Sequence, residues 1–562
     1  MADQDIDAAQ AAAPWGKLNV LTFDGGGVRG YYSLLHLDKL MECIAEAEHR
    51  LHEAEPELAR AQTPEDLSSF SPHPMPEYVN HPRGNSPGEQ PPRHASFLPC
   101  HYFDYISGTS TGALITIMLA KFRMSAHDCL GEYERLAGLV FGRPRHVYEM
   151  SLQGVMLFSK RHKFSTANLE FAIKDVVKRR GEKPTYRDDA EEMVFGTPRG
   201  FCRAIIFITR KIRTADKSKK NKQGPFVSRP YIYRSYDNFR RPRPAGNHPT
   251  AAQPRTESDL VREPGQPRRS STLAVWKLAR AATAAKFYFK PLLISLHDSE
   301  MLRTTRDEKR MPRTTEIAEL VDAGLDDVNN PSQAVHKELK RLLAGSKKIE
   351  TWVSIGTARG TKPDESRLIK FMAHRIYVAG DTEKVHDHMD EVSESTAREN
   401  RGPFNYYRLN DTNGLPDVDM DSWIPRGSGP KSGEQTLQDI RRSFENHYRN
   451  PEVRDYFRRC AEELVRTRRE RTADESLWER YALGTTYTCR LPGCKYEPDQ
   501  TWEYREQFIA HLQTDHNLTA EQDIKDACKE GSLLWKYKAP ANESPIANLS
   551  RRRTTWNSIF AG

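Results

Sequence analysis

The chain lacks any long apolar run. Its longest, Ala113 to Ala120, falls far short of the roughly 20 residues that cross a bilayer as a helix. A bilayer-spanning helix is therefore not expected, and lipid is expected to be met from outside. Cysteine is sparse, at eight in 562 residues, which is too few for a disulfide scaffold and fits a reducing compartment. The N-terminus, Met-Ala-Asp-Gln-Asp-Ile-Asp, carries neither the basic nor the apolar region of a secretory leader. The expected location is cytoplasmic, with peripheral contact at membranes. No calcium loop of EF-hand type occurs.

A large excess of one charge is also missing: 85 basic residues face 77 acidic ones, for a net charge of +8. The excess gathers in Arg210-Lys211-Ile212-Arg213, Lys217 to Lys222, Arg240-Arg241-Pro242-Arg243 and Arg551-Arg552-Arg553. Such clusters read as solvated loops or as attraction to anionic headgroups. Nucleic acid would leave the same signature. Glu53 to Leu98 and Thr214 to Arg269 are rich in Pro, Ser and charge, without sustained apolar period apart from Tyr231-Ile232-Tyr233, and are expected to be flexible insertions.

Three glycine-punctuated segments are present. Leu18 to Phe23 is a β-prone run followed by Asp24-Gly25-Gly26-Gly27-Val28-Arg29-Gly30 and a helical stretch from Tyr31. A glycine loop between strand and helix bares backbone N–H groups, which hold a phosphate or an oxyanion. Gly25, Gly27 and Gly30 also fit a dinucleotide pattern, but a Pro-rich stretch follows the helix instead of a clean βαβ unit. Phe103 to Ser107 leads into Gly108-Thr109-Ser110-Thr111-Gly112 and then a buried helix. Serine at such a junction sits on a tight turn with its oxygen pushed into a site, a candidate nucleophile. Leu320-Val321-Asp322-Ala323-Gly324 reads as a strand end delivering a carboxylate into a loop, or simply as an Asp at a turn. His336 and His374 follow Asp322 in the chain order of a Ser-Asp-His hydrolase, though neither lies in a catalytic-looking loop.

Taken in order, these three motifs resemble the patatin-like phospholipases, and the large multidomain fungal type in particular. The elbow strand, the small-residue helix Trp276 to Ala285, and Ser354-Ile355-Gly356-Thr357 are similar as well. The resemblance spans roughly residues 17 to 360. It implies a three-layer α/β/α core with a central, mainly parallel sheet, as the alternation of apolar strands and helices also does. It implies lipid acyl hydrolysis of phospholipid or acylglycerol by a Ser–Asp dyad. Ser110 is then the nucleophile and Asp322 the base. Gly26 and Gly27 form the oxyanion hole, helped by Gly25. Arg29 braces the loop, and Gly30, Gly108, Gly112 and Gly324 complete the motifs. No cofactor is expected for catalysis. Ala323 stands where that family usually has glycine; a left-handed backbone there would strain it by about 1 kcal/mol. The alternative is a scaffold without activity that binds membranes or partner proteins.

Phe287 to Leu293 is dense in large apolar groups, suited to core or to an acyl-chain groove. Beyond residue 360 the character changes. A helical extension is expected over 361–480, with Leu437, Ile440, Phe444, Tyr448, Tyr456, Cys460 and Leu464 on apolar faces. Residues 481–520 hold Cys489, Cys494, His511 and His516, which resembles a two-Cys, two-His zinc finger with a long spacer and suits a structural zinc ion. One finger reads only about three base pairs, so protein contact is expected of it rather than nucleic acid. A basic tail, 521–562, and a disordered start, 1–16, complete the expected organisation.

Overall fold

The computed structural model describes residues 13–54, 92–144, 162–181, 193–215, 223–237, 271–295 (except 272 and 287), 317–324, 328–343, 347–358, 382–395 and 404–533 (except 413, 416, 417, 428, 430, 498 and 499). His374, most of the two expected insertions and residues 534–562 of the expected tail fall outside these residues, whereas 521–533, also expected in the tail, form a helix and a short strand.

The fold is built on an eight-stranded sheet. Its strands are β1 (Lys17–Phe23), β2 (Tyr105–Thr109), β3 (Arg203–Ala215), β4 (Gln223–Arg234), β5 (Leu292–Ser295), β6 (Ile317–Asp322), β7 (Lys348–Ile355) and β8 (Asn405–Leu409). The order is β5-β6-β3-β2-β1-β7-β8, with β4 also on β3. The pairs β3/β2, β2/β1, β1/β7 and β7/β8 are parallel, and those of β3 with β4 and β6, and of β5 with β6, are antiparallel. Parallel strands buried on both faces need continuous apolar runs, as β1 supplies.

The period of two along each strand divides the core. Leu21, Phe23, Ile106, Ile206, Ile208, Val353 and Ile355 face one layer. Leu18, Val20, Tyr105, Ile205, Phe207 and Trp352 face the other. The first layer holds α1 (Gly30–Ala54), α2 (Thr111–Thr116), α3 (Ala126–Phe141), α4 (Thr166–Arg180) and α5 (Val275–Ala282). The second holds α6 (Ser332–Leu343) and α7 (Thr382–Ser395), through Val335, Leu339 and Met389. The three-layer α/β/α architecture with a mostly parallel centre is thus present.

Two sequence-based boundaries need correction. The sheet continues past residue 360: β8 pairs along β7, covering an edge that would otherwise expose unpaired backbone groups. The helices α8 (Glu434–Tyr448) and α9 (Pro451–Thr472) bury Leu437, Ile440, Phe444, Cys460 and Leu464 in the same core cluster as α1. They complete a layer of the core. The second correction concerns the expected insertion after Thr214, where β4 forms a long hairpin with β3 and buries Tyr231 and Tyr233. Arg210, counted among the basic surface clusters, is buried with its guanidinium over the Tyr231 ring.

A buried charge cluster binds the late strand to the early one. Arg408 on β8 donates to both Asp24 carboxylate oxygens, at 3.2 and 2.7 Å, to Ser354 Oγ at 2.9 Å and to Glu383 at 2.8 Å. Burial pushes the Asp24 carboxyl up to about 6 while Arg408 pulls it back, so it is ionised at neutral pH. Glu383 is held below its usual range by Arg408, against the effect of its own burial. Removing the cation would leave two carboxylates with no guanidinium, one of them fully buried. Arg408→Met is expected to destabilise the chain by about 3–5 kcal/mol, read from urea unfolding; a loss below about 1 kcal/mol would show that the cluster does not hold these strands.

Candidate active site

The long strand β3 decides where the site forms. One of its edges is taken by β4 from Ile205 to Ala215. The other edge is shared. β2 runs up it in parallel until Thr109 opposes Phe207. β6 runs down it antiparallel until Asp322 opposes Ile208. Two strands therefore point their C-terminal ends at each other. The residue after Thr109 is Ser110, and Ser110 Oγ donates to Asp322 Oδ2 at 2.6 Å across 212 residues of sequence.

Ser110 stands at the N-cap of α2, which runs on as one wide turn, Ile117–Lys121. A serine in that position usually bonds its own helix. Here the side chain makes no capping bond, and the backbone lies at φ 55°, ψ −122°. Such a conformation costs of order 1–3 kcal/mol and is kept where the surroundings impose it. The glycines beside it permit the turn: a Cβ on Gly108 would stand 2.1 Å from the Gly112 carbonyl oxygen, and one on Gly112 would stand 2.6 Å from that of Phe23. The hydroxyl is half-buried, and Asp322 is 6% exposed. Asp322 Oδ1 accepts from the Gly324 amide at 2.8 Å, which aims the other oxygen at the serine. Ala323 is absent from the left-handed residues, and its methyl packs in the second core cluster. The strain expected of alanine there does not arise.

The glycine loop leaves β1 beside this pair. A Cβ on Gly25 would lie 3.0 Å from Ser110 Cβ. The Gly25 amide donates to the Asn329 carbonyl at 3.1 Å, which withdraws it from the expected set of free donors. The Gly26 amide faces Thr111 Oγ1 at 3.2 Å, and that of Gly27 finds no acceptor among the described residues. Gly27 is left-handed at φ 58°, and its carbonyl accepts from Tyr133 on α3. The next amide, of Val28, donates to the Met420 carbonyl at 2.7 Å. Arg29 ends beside Asp419 and Tyr288; burial pulls its guanidinium below its ordinary value and Asp419 acts against that. Gly30 opens α1 against Tyr133.

A comparison with curated proteins finds one similar along most of this length. The chain is 23% identical over 402 residues to calcium-independent phospholipase A2-gamma of Mus musculus. The match covers 70% of this chain and 35% of the relative, so the chain spans about a third of that protein's length. No family model matches. The similarity supports the resemblance to patatin-like phospholipases carried by the three motifs.

Several residues around the site are not announced by the motifs. Asn329, Tyr133 and Met420 hold the loop from three separate elements, and only the Asn-Asn-Pro turn leaves a signal in the sequence. His336 lies against Trp352 and Phe404, while the Ser110 hydroxyl goes directly to the carboxylate. In the apolar stretch after Ala285, Tyr288 stacks on Phe164 and Phe289 is buried, whereas Leu293 is 61% exposed.

A second constellation lies in the C-terminal module. This comprises β9 (Thr486–Tyr487), α11 (Arg505–His516), α12 (Glu521–Gly531) and β10 (Ser532–Leu533), following α10 (Glu475–Leu483). One donor atom from each of Cys489, Cys494, His511 and His516 lies within 4.8 Å of the others. Cys489 Sγ is 3.3 Å from His516 Nε2, and Cys494 Sγ is 3.6 Å from His511 Nε2. His511 Nδ1 meets Asp515 Oδ2 at 2.7 Å. Among the described residues no helix is long and apolar enough to cross a membrane.

The strained serine allows a direct check. Set against Ser110→Ala, which equally lacks the hydroxyl and its bond to Asp322, Ser110→Gly removes the Cβ that disfavours φ 55° and is expected to unfold with a free energy higher by about 1 kcal/mol. Chemical unfolding of the two variants measures it, and a glycine variant less stable than the alanine one would show that the serine conformation is not strained.

Proposed function

We propose that the chain is a lipid acyl hydrolase that cleaves fatty acyl esters through an acyl-enzyme intermediate. One observation carries this reading: the half-buried hydroxyl of Ser110, held in a costly conformation, hydrogen-bonds at 2.6 Å to a carboxylate from another strand. Further support comes from the similarity to a protein named as a phospholipase A2. A serine hydroxyl is a weak nucleophile without an adjacent base. Asp322 Oδ2 takes its proton as Oγ bonds to the acyl carbon. The Gly27 amide receives the charge on the carbonyl oxygen, joined by that of Gly26 once it gives up its bond to Thr111 Oγ1, each such donor being worth about 3 kcal/mol. The ester C–O bond then breaks, and the departing glycerol oxygen takes the proton from Asp322. In the second half, Asp322 takes a proton from water as the water oxygen bonds to the acyl carbon; the acyl C–Oγ bond then breaks, Ser110 Oγ takes that proton from Asp322, and the fatty acid leaves.

Purified chain is expected to hydrolyse short acyl esters and mixed phospholipid vesicles, and to keep doing so with a calcium chelator. Ser110→Ala and Asp322→Asn are expected to lose at least about a thousandfold of that rate. Equal turnover by wild type and Ser110→Ala would overturn the proposal and leave a binding scaffold instead.

We also propose that the C-terminal module holds a structural zinc ion. Zinc bonded at about 2.3 Å to sulfur and 2.0–2.1 Å to nitrogen sets tetrahedral S···N edges of about 3.6 Å, close to the spacings found. The Asp515 carboxylate on His511 Nδ1 orients the other nitrogen toward the ion. Metal analysis of the full chain is expected to fall by one zinc equivalent in Cys489→Ser/Cys494→Ser; unchanged content would remove the ion from the module.

A further inference from the structure

Away from Ser110 and from the Cys2His2 cluster, the described residues gather one more set of metal-ligating groups. Asp38 on α1, His94 on the turn Arg93–Ser96 and His127 on the first turn of α3 each bring one donor atom within 4.8 Å of the others. All three side chains are half-buried, with His94 and Asp38 at 14% and 20% exposure. His94 Nε2 and Asp38 Oδ1 are 3.0 Å apart. The two imidazoles meet edge to face, with centroids 6.1 Å apart at 80°.

A plain histidine–carboxylate hydrogen bond accounts for the first two groups. The His127 imidazole brings a third donor atom, from a third element, to the same place. A bound cation uses all three at once. Ligand bonds of about 2.0–2.2 Å at the tetrahedral angle place neighbouring donors about 3.4 Å apart, a span that lies between the 3.0 Å separating His94 from Asp38 and the 4.8 Å within which all three donor atoms fall. Two imidazoles and one carboxylate suit zinc and its first-row neighbours, whereas calcium and magnesium want an all-oxygen shell.

We propose that Asp38, His94 and His127 form a second divalent-metal site, zinc being its natural occupant, with water in the remaining positions. The site is distinct from the reacting serine. Asp38 lies eight residues beyond Gly30, about 12 Å along α1 from the glycine loop. Its three ligands come from α1, from α3 and from the turn by which the chain returns to the core after residue 91. The ion therefore pins that turn to the two helices, and it acts as a staple rather than a reagent.

The test uses the full-length chain, stripped with chelator, dialysed against zinc and assayed for bound metal. To separate this site from the C-terminal one, it is run in the Cys489→Ser/Cys494→Ser background. That protein is expected to keep one zinc equivalent and to melt higher with zinc than without. Adding His94→Ala/His127→Ala is expected to abolish both the bound metal and the shift in melting temperature. Cobalt(II) supplies an independent readout in the background variant: visible d–d bands without the thiolate charge-transfer band of a cysteine site. Asp38→Asn, which keeps the shape and the hydrogen bond, is expected to weaken zinc uptake while the circular dichroism stays native. The proposal is overturned if the background variant binds no zinc, or if it binds zinc undiminished after the histidines are replaced.

Discussion

Everything about the serine depends on one constraint: β3 is longer than either strand that shares its edge. β2 stops at Phe207 and β6 begins its pairing at Ile208, so two strand ends abut and their next polar side chains touch. A carboxylate and a hydroxyl 212 residues apart are brought together by backbone ladders. No flexible loop has to find the partner. Strand-borne groups keep their geometry because the sheet and the packed cores on both faces resist displacement.

The glycine loop is positioned with the same economy. Its carbonyls and amides are claimed by Asn329, Thr111, Tyr133 and Met420, leaving Gly27 with a donor that meets no acceptor among the described residues. Asp24, at its start, is locked by Arg408, which Ser354 and Glu383 hold in turn. Residues beyond 400 are thus required for a loop that begins at residue 24. This is why a core drawn only from residues 17 to 360 would be incomplete on both the sheet edge and the α1 layer.

The C-terminal module is also tied to the strand that bears the serine. Tyr481 Oη donates to the Phe103 carbonyl at 2.8 Å, and Arg471 reaches Asp104 at 2.7 Å. Asp104 in turn accepts from the Asn19 amide at 2.8 Å, which joins the foot of β2 to β1. Arg505 on α11 pairs with Glu479 of α10 at 2.7 Å, so the helix that carries His511 and His516 is joined to the helix whose Tyr481 reaches the foot of β2.

The sequence alone determined the local events. Apolar runs at Leu18 to Phe23 and Cys202 to Ile208 dictated buried strands. Gly108 and Gly112 dictated a turn tight enough to thrust out Ser110, and Cys489, Cys494, His511 and His516 announced their own clustering. These follow from chain geometry and side-chain chemistry within a few residues. Only the tertiary structure decided what depends on long-range pairing. It made β4 of a stretch that reads as polar insertion and brought β8 to the sheet from beyond residue 360. It buried Arg210, gave the Gly25 amide to Asn329, left Ala323 unstrained, and gathered Asp38, His94 and His127. Their physical reason is shared: each partner comes from another strand, helix or loop, and no local pattern records which edge, carbonyl or imidazole will arrive.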